Sequence, residues 1–263
     1  MIHSLSIVLP MFNERDCIET AVTEALRVGP LIAPDLEIIV VDDASTDGSG
    51  TILDRLAAAN PRVRAFHHAV NRRLGGTLKT GFGAATKEWI LYIDSDLPIR
   101  MDDALAAVPL TDRADVVLGW RKTRAESWRR DVMSWVYNRM IRVFFELRVT
   151  DVNFSFKLFK RSFYERALIT SEGSFIDAEL LLELRRAGAR FAEIGMDYHP
   201  RVAGESTLSG TGVVLKILSE MFYYRLEAHG RSPENFGGER RRLWLERADK
   251  LRDRGGVPPG DPA

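Results

Sequence analysis

Trp89-Ile90-Leu91-Tyr92-Ile93-Asp94-Ser95-Asp96 decides how this chain folds. Five apolar residues in a row, with β-branched and aromatic members, read as a buried strand. The acidic pair then falls where that strand ends, at the carboxyl edge where open α/β sheets place their ligands. Two carboxylates one residue apart repel each other, and desolvating them is costly unless something positive joins them. A hard divalent cation, Mg²⁺ or Mn²⁺, bridging to a substrate diphosphate is the natural partner for Asp94 and Asp96. Taken alone, an Asp-x-Asp is more often a solvated loop, so the neighbouring sequence has to decide.

Working outward, strand-like and helix-like runs alternate. Strands are expected at Leu5–Leu9, Glu37–Val41, Val63–His67, Trp89–Ile93 and Val116–Gly119. Helices are expected at about Glu14–Val28, Gly48–Ala59 and Leu74–Thr86. This order predicts an α/β fold with a mostly parallel central sheet and helices on both faces. The strand runs are continuously apolar, as parallel strands are. Beyond a weak seam near 120–125 the pattern changes. Asp131–Leu147 reads as a long helix with apolar residues round much of its circumference. Phe154–Phe159 reads as a strand, Ile176–Ala187 as an amphipathic helix and Phe191–Met196 as a strand. Thr211–Ala228 is helical and aromatic toward its end. One domain over residues 1–230 is expected, its second half beginning at about 121. Residues 231–263 are read as a charged helix and a Gly/Pro-rich, disordered tail.

Two more strand ends carry polar groups. Asp42-Asp43-Ala44-Ser45-Thr46-Asp47 ends the second strand. Helix capping explains one of Ser45, Thr46 and Asp47, but not the pair Asp42-Asp43, whose carboxylates suit the donors of a base or ribose. Pro10-Met11-Phe12-Asn13-Glu14 ends the first strand, with Asn13 as a candidate N-cap. Three strand ends with acidic or polar groups together suit a nucleotide crevice. The Gly-rich stretch 75–85 fails as a phosphate loop: Gly76 and Gly81 have the spacing, but Phe82 stands where Lys is required. Its small residues read instead as close packing of a helix on the sheet. Arg121, Arg129 and Arg130 come where a diphosphate needs bidentate partners, followed by Lys157 and by His199-Pro200-Arg201.

Bulk properties exclude several classes. Lys+Arg and Asp+Glu balance at 37 each in 263 residues, so no basic field for nucleic acid exists. Hydrophobic residues make up 45%, which suits a packed core. Cys17 is the only cysteine, so no internal disulfide forms. The five histidines show no metal-ligand spacing, which speaks against zinc. No stretch approaches the roughly 20 apolar residues of a spanning helix. A cytoplasmic protein is expected, peripheral on the inner face of the membrane if it meets lipid at all.

These motifs together resemble the family 2 glycosyltransferases of the GT-A fold. Within it they are most similar to polyprenyl-phosphate glycosyltransferases, the dolichol-phosphate mannose synthases among them. The segments that carry the likeness are Pro-Met-Phe-Asn-Glu at 10–14, Val-Asp-Asp-Ala-Ser-Thr-Asp-Gly-Ser at 41–49 and Asn71 with Leu-Gly-Gly at 74–76. Asp-Ser-Asp at 94–96, Gly-Trp-Arg at 119–121 and Arg130 continue it. Asp-Val-Asn-Phe-Ser-Phe-Lys at 151–157 and Arg201 with Gly-Glu-Ser at 204–206 complete it. The resemblance implies that Pro10, Asn13, Glu14, Asp42, Asp43, Asp94 and Ser95 hold the nucleotide sugar, a GDP- or UDP-hexose. It implies that Asp94 and Asp96 hold Mg²⁺ or Mn²⁺, and that Arg121, Arg130, Lys157, Arg201 and Ser206 meet the phosphate of a polyprenyl acceptor. Pro98 stands where such proteins often have Gln, Ser155-Phe156-Lys157 where they have Gly-Phe-Arg, and Thr207 where they have Lys.

The expected reaction is inverting displacement at the anomeric carbon, with Asp96, Arg121 and Arg130 stabilising the departing diphosphate. An acceptor phosphate is already ionised and needs no base. A hydroxyl acceptor needs one, for which Asp177 or Glu179 is the candidate. A soluble saccharide acceptor and a non-catalytic nucleotide-sugar-binding protein stand as the alternatives.

Overall fold

The computed structural model describes residues 1–122, 128–173, 175–199, 221, 224 and 225, with side chains left out of account at 128–133. Seven strands make one sheet: β1 (Ser4–Met11), β2 (Asp35–Asp42), β3 (Val63–His67), β4 (Trp89–Tyr92), β5 (Val116–Arg121), β6 (Lys157–Lys160) and β7 (Phe191–Met196). Their order across the sheet is β3-β2-β1-β4-β6-β5-β7. β3, β2, β1 and β4 pair in parallel, β6 runs against both of its neighbours, and β7 is parallel to β5. β6 alone is therefore reversed, and the other strands share one carboxyl edge.

Period-two alternation sorts each central strand onto two cores. Leu5, Ile7, Leu9, Ile38, Val40, Trp89 and Leu91 face helix α1 (Ile18–Ile32) and a 3₁₀ segment at Met101–Asp112. Val8, Ile39, Val41, Ile90 and Tyr92 face helices α3 (Arg73–Ala84) and α6 (Ile176–Arg186). Helix α2 (Ser49–Ala59) joins the first core through Leu53. The glycines of α3 act as expected. A Cβ on Gly81 would lie 2.4 Å from Val8 Cγ1, and one on Gly75 would lie 2.4 Å from the Ser171 carbonyl oxygen. Phe82 then reaches an aromatic cluster, edge-on to Tyr92, Phe159 and Tyr164 at centroid distances of 6.0, 5.3 and 5.3 Å.

Most expected elements are present, with shifted ends. The first helix begins at Ile18 rather than near Glu14, because Glu14 sits in a turn whose carbonyl accepts from Cys17 and Ile18. β6 is shorter than expected, since Phe154 and Phe156 pack in the core before pairing begins. The 3₁₀ segment and the short helix α5 (Arg161–Tyr164) carry no strong periodic signal and are additions. Helix α4 (Trp128–Phe145) buries Ile141 but leaves Trp135, Val136, Val143 and Phe144 exposed. The expected helix at 211–228 and the segment 231–263 lie outside the described residues, apart from helical backbone at 221, 224 and 225. Among the described residues no helix is long and apolar enough to cross a membrane.

Candidate active site

Three loops meet at the carboxyl edge, after β1, β2 and β4, and each contains a non-glycine residue in the left-handed region. These are Asn13 (φ 56°), Ala44 (φ 62°) and Leu97 (φ 49°). Each such residue costs about 1–2 kcal/mol, so the surrounding contacts must hold it there. Ser45 Oγ accepts from the Asn13 amide and Asn13 Oδ1 accepts from the Thr46 amide, both at 2.9 Å. Asp47 Oδ2 accepts from the Arg15 amide at 3.0 Å. Asn13 thus ties two strand ends together and is not a helix cap. Ser95 Oγ donates to the Pro10 carbonyl at 2.8 Å, stapling the β4 loop to β1. The His199 amide donates to the Pro98 carbonyl at 2.9 Å, bringing the segment after β7 onto the same loop.

The adjacent acids of β2 have different duties. Asp42 Oδ1 accepts from the Ser45 amide at 3.0 Å, and Oδ2 meets His67 Nδ1 at 2.9 Å. With a contact on each of its carboxylate oxygens, Asp42 braces the loop, whereas the side-chain contacts of Asp43 fall on Oδ1 alone. That bracing corrects the sequence assignment of Asp42 to nucleotide contact. Ser95, 2% exposed and committed to Pro10, is corrected in the same way. Asp43 Oδ1 accepts from His68 Nδ1 at 2.7 Å and from the Arg72 amide at 2.8 Å. Its Oδ2 receives nothing from the described residues. His67 is shifted upward in pKa: burial opposes this, but its contacts with Asp42 and Asp54 outweigh burial.

Asp94 and Asp96 stand half-buried on the β4 loop. Burial, then the charges of Asp96 and Asp177, push the Asp94 carboxyl up to about 7, against a hydrogen bond from Tyr92 Oη at 3.1 Å. A carboxyl pushed up first by burial and then by two neighbouring carboxylates is one that a cation would return to its ionised form. Among the described residues no three His, Cys, Asp or Glu side chains converge as a metal site. Two carboxylates with the remaining positions left to water and phosphate oxygens is nonetheless how Mg²⁺ is commonly held. The donor set therefore fits a divalent ion that arrives with a diphosphate, and not a self-sufficient protein cage.

The basic residues divide. Arg121 ends β5 and grips Asp151 through Nε (2.8 Å) and Nη2 (3.1 Å). Its guanidinium lies 5.9 Å from the Phe154 ring centroid and 5.5 Å from that of Tyr198. Aromatic faces and a bidentate carboxylate, itself 3% exposed, fix the fork in place. Lys157 does not face an acceptor. It is 1% exposed, and its Nζ donates to Asp177 Oδ1 at 2.7 Å and to the Phe154 carbonyl at 2.6 Å, 5.0 Å from the Tyr92 ring centroid. The expectation that it binds the acceptor phosphate is therefore corrected: cross-strand pairing of Tyr92 with Lys157 turns the ammonium beneath the acidic strand end. Asp177, the candidate base, is its buried partner. Glu179, 1% exposed, is spent on the amides of Thr170 and Ser171 and on Thr170 Oγ1. Pro10 and Glu14 flank the staple and the turn. Arg129 and Arg130 fall in the first turn of α4, where only backbone is described; Arg201 and Ser206 lie outside the described residues. His68, Asp151 and Tyr198 were not singled out as site residues by the sequence. For the histidines the available signal was the pair His67-His68 ending β3 beside the acids of β2.

Comparison with known proteins gives the family and the fold. The model of "Glycosyl transferase family 2" matches residues 6–169. The chain is 32% identical to glycosyltransferase AglD of Haloferax volcanii over 75% of its own length, though it spans only 33% of that protein. It is 28% identical to undecaprenyl-phosphate mannosyltransferase of Micrococcus luteus, covering 79% of this chain and 88% of the relative. Against polyprenol monophosphomannose synthase of Mycolicibacterium smegmatis the identity is 26%, over 79% and 82%. Among solved structures, glucosyl-3-phosphoglycerate synthase from Mycobacterium tuberculosis in complex with UDP superposes with a TM-score of 0.66. That match has 16% identity and covers 85% of this chain and 80% of the other, a likeness of fold.

Proposed function

This chain belongs to glycosyl transferase family 2, and from that premise we propose that it moves a hexose from a nucleotide-diphosphate sugar to a polyprenyl phosphate, with inversion and with Mg²⁺ or Mn²⁺. The observation that carries the reading is the meeting of Asp43, Asp94 and Asp96 at one sheet edge, with the Arg121 fork two strands away. Asp43 holds the nucleoside, with Pro10, Asn13 and Glu14 forming the neighbouring wall. Asp94 and Asp96 would hold the cation, which would supply charge neutralisation on the diphosphate. Arg121, with Arg130, Arg201 and Ser206 from the chain's second half, takes the acceptor phosphate. Two of the relatives are named for transfer to undecaprenyl or polyprenol phosphate. Related folds have been crystallised with Mn²⁺ and UDP-glucose. An ionised phosphate oxygen attacks the anomeric carbon from the face opposite the leaving UDP or GDP, so no base is required. That agrees with Asp177 being buried and paired with Lys157.

A lipid acceptor requires access to a membrane. Trp135 (62% exposed) and Phe144 (47%) lie on α4 with exposed Val136 and Val143, and Arg139 and Arg142 are exposed beside them. Aromatic, aliphatic and basic groups on one helix suit the plane of an anionic membrane surface. On this reading the protein works peripherally on the cytoplasmic face.

The test is a two-phase transfer assay. Full-length protein is given labelled UDP- and GDP-hexoses, polyprenyl phosphate and Mg²⁺ or Mn²⁺, with a chelator control. Metal-dependent label in the organic phase is expected. Label confined to water-soluble product would move the acceptor to a saccharide and return Asp177 to consideration as base.

A further inference from the structure

Asp43 has a single carboxylate oxygen left for a ligand. A carboxylate oxygen offers two in-plane lone pairs, and both of those on Oδ1 are taken, by the Arg72 amide and by His68 Nδ1. The carboxylate only accepts, so the His68 proton lies on Nδ1. His68 is itself held firmly. Its side chain is 8% exposed, Nε2 lies 2.9 Å from Thr80 Oγ1, and its amide donates to the Asp42 carbonyl at 2.9 Å. The Asp43 backbone is clamped on both sides, by its amide to the Met11 carbonyl at 2.9 Å and by Asn71 Nδ2 to its carbonyl at 3.2 Å. Turning the carboxylate to free Oδ1 would break two hydrogen bonds at once. The two flanking loops expose Phe12 (44%) and Val70 (68%), apolar surfaces suited to the flat faces of a base.

Resting on the reading that Asp43 holds the donor nucleoside, we infer that His68 determines which base is accepted. By occupying Oδ1 it leaves one acceptor, which matches the single imide N3–H of uracil. Guanine presents two donors side by side, N1–H and the 2-amino group, and pairs with both oxygens of a carboxylate. With Oδ1 filled, one guanine donor is left without a partner against the protein, and a site that strands a polar group discriminates strongly. Cytosine presents an acceptor at N3 and is repelled. The donor is therefore a uridine nucleotide.

Calorimetric titration of the full-length chain with UDP, GDP and CDP in Mn²⁺ tests this. Wild type is expected to bind UDP at least about tenfold more tightly than GDP or CDP. His68→Phe, which keeps the bulk and removes the donor, is expected to narrow the UDP-to-GDP ratio to about threefold or less. His68→Gln, whose amide can still donate to Oδ1, is expected to keep most of it. A merely structural role for His68 would weaken both nucleotides together and leave the ratio unmoved. GDP binding as tightly as UDP in wild type overturns the inference while leaving the donor site in place. An unchanged ratio in folded His68→Phe overturns the role of His68. Binding of none of the three to wild type overturns the donor site itself, and this inference with it. Should His68→Phe fail to fold, the wild-type ratio and His68→Gln still decide.

Discussion

The donor edge and the acceptor side of this molecule are built on different terms. At the donor edge, the loops after β1, β2, β3 and β4 are laced to one another by short-range polar contacts, Asn13 with Ser45 and Thr46, Ser95 with Pro10, Asp43 with Arg72. Its acids crowd together with raised proton affinity at Asp94. On the acceptor side, charge is met at once by opposite charge. Arg121 is locked to Asp151, and Lys157, beneath the acidic end of β4, is locked to Asp177; both acids are nearly inaccessible to water. The difference teaches that one half gathers acids whose mutual repulsion a cationic ligand would relieve. The other half pairs its cations with buried acids, and for Arg121 that pairing fixes the fork in place for the proposed acceptor phosphate.

If that contrast holds, replacing an acid at the donor edge should remove chemistry and spare the fold. Asp96→Asn is expected to cut metal-dependent transfer by about 10³-fold or more, with an unchanged circular dichroism spectrum and melting temperature. Retained turnover would strike Asp96 from the mechanism. On the acceptor side the larger effect should fall on stability. Lys157→Met strands a buried carboxylate and is expected to cost about 3–5 kcal/mol, whereas Lys157→Met with Asp177→Leu should recover much of that loss. Urea unfolding measures both, and a double variant no better than the single one would mean that the pair has a task beyond self-neutralisation.

Two smaller effects sharpen the comparison. Asp94 must lose its proton to bind a cation. Its carboxyl is raised to about 7, so the protonated form dominates below that pH. Apparent Mn²⁺ affinity should then fall about tenfold per pH unit below 7 and level off above it. Titrations at pH 5.5, 6.5 and 8 check the sign; a flat profile would show that Asp94 is ionised throughout. Asp151→Asn should loosen the Arg121 fork. The acceptor KM is expected to rise about tenfold with the donor KM unmoved, and a rise in both would make Asp151 a fold residue only.

The carboxyl edge of the sheet was legible in the sequence because each of its polar groups follows directly on an apolar run. A strand end announces itself, and a carboxylate after it inherits a known place in an α/β sheet. What could not be read was which of the two neighbouring buried acids has a contact on each oxygen and which is held through one oxygen alone. Asp42 and Asp43 are equivalent as text. They separate only when β3 pairs beside β2 and brings His67 opposite Asp42. The acceptor side was less legible for the same reason on a larger scale. Lys157 looks like a phosphate ligand until the antiparallel pairing of β4 with β6 sets it beside Tyr92 and over Asp177. Asp151 and Arg121 are 30 residues apart, and nothing local signals their pairing. Helix α4 is present with shifted ends, but the sequence does not tell which of its apolar residues are buried: Ile141 is, whereas Trp135 and Phe144 are exposed.

The most direct measurement is nucleotide binding to the wild-type chain with and without a divalent cation. In calorimetry, UDP is expected to bind in Mn²⁺ and to lose at least about tenfold in affinity when the metal is chelated. Asp96→Asn should bind as weakly with Mn²⁺ as the wild type does without it. Equal affinity in metal and in chelator would contradict the assignment of Asp94 and Asp96 as the holders of a diphosphate-bound cation.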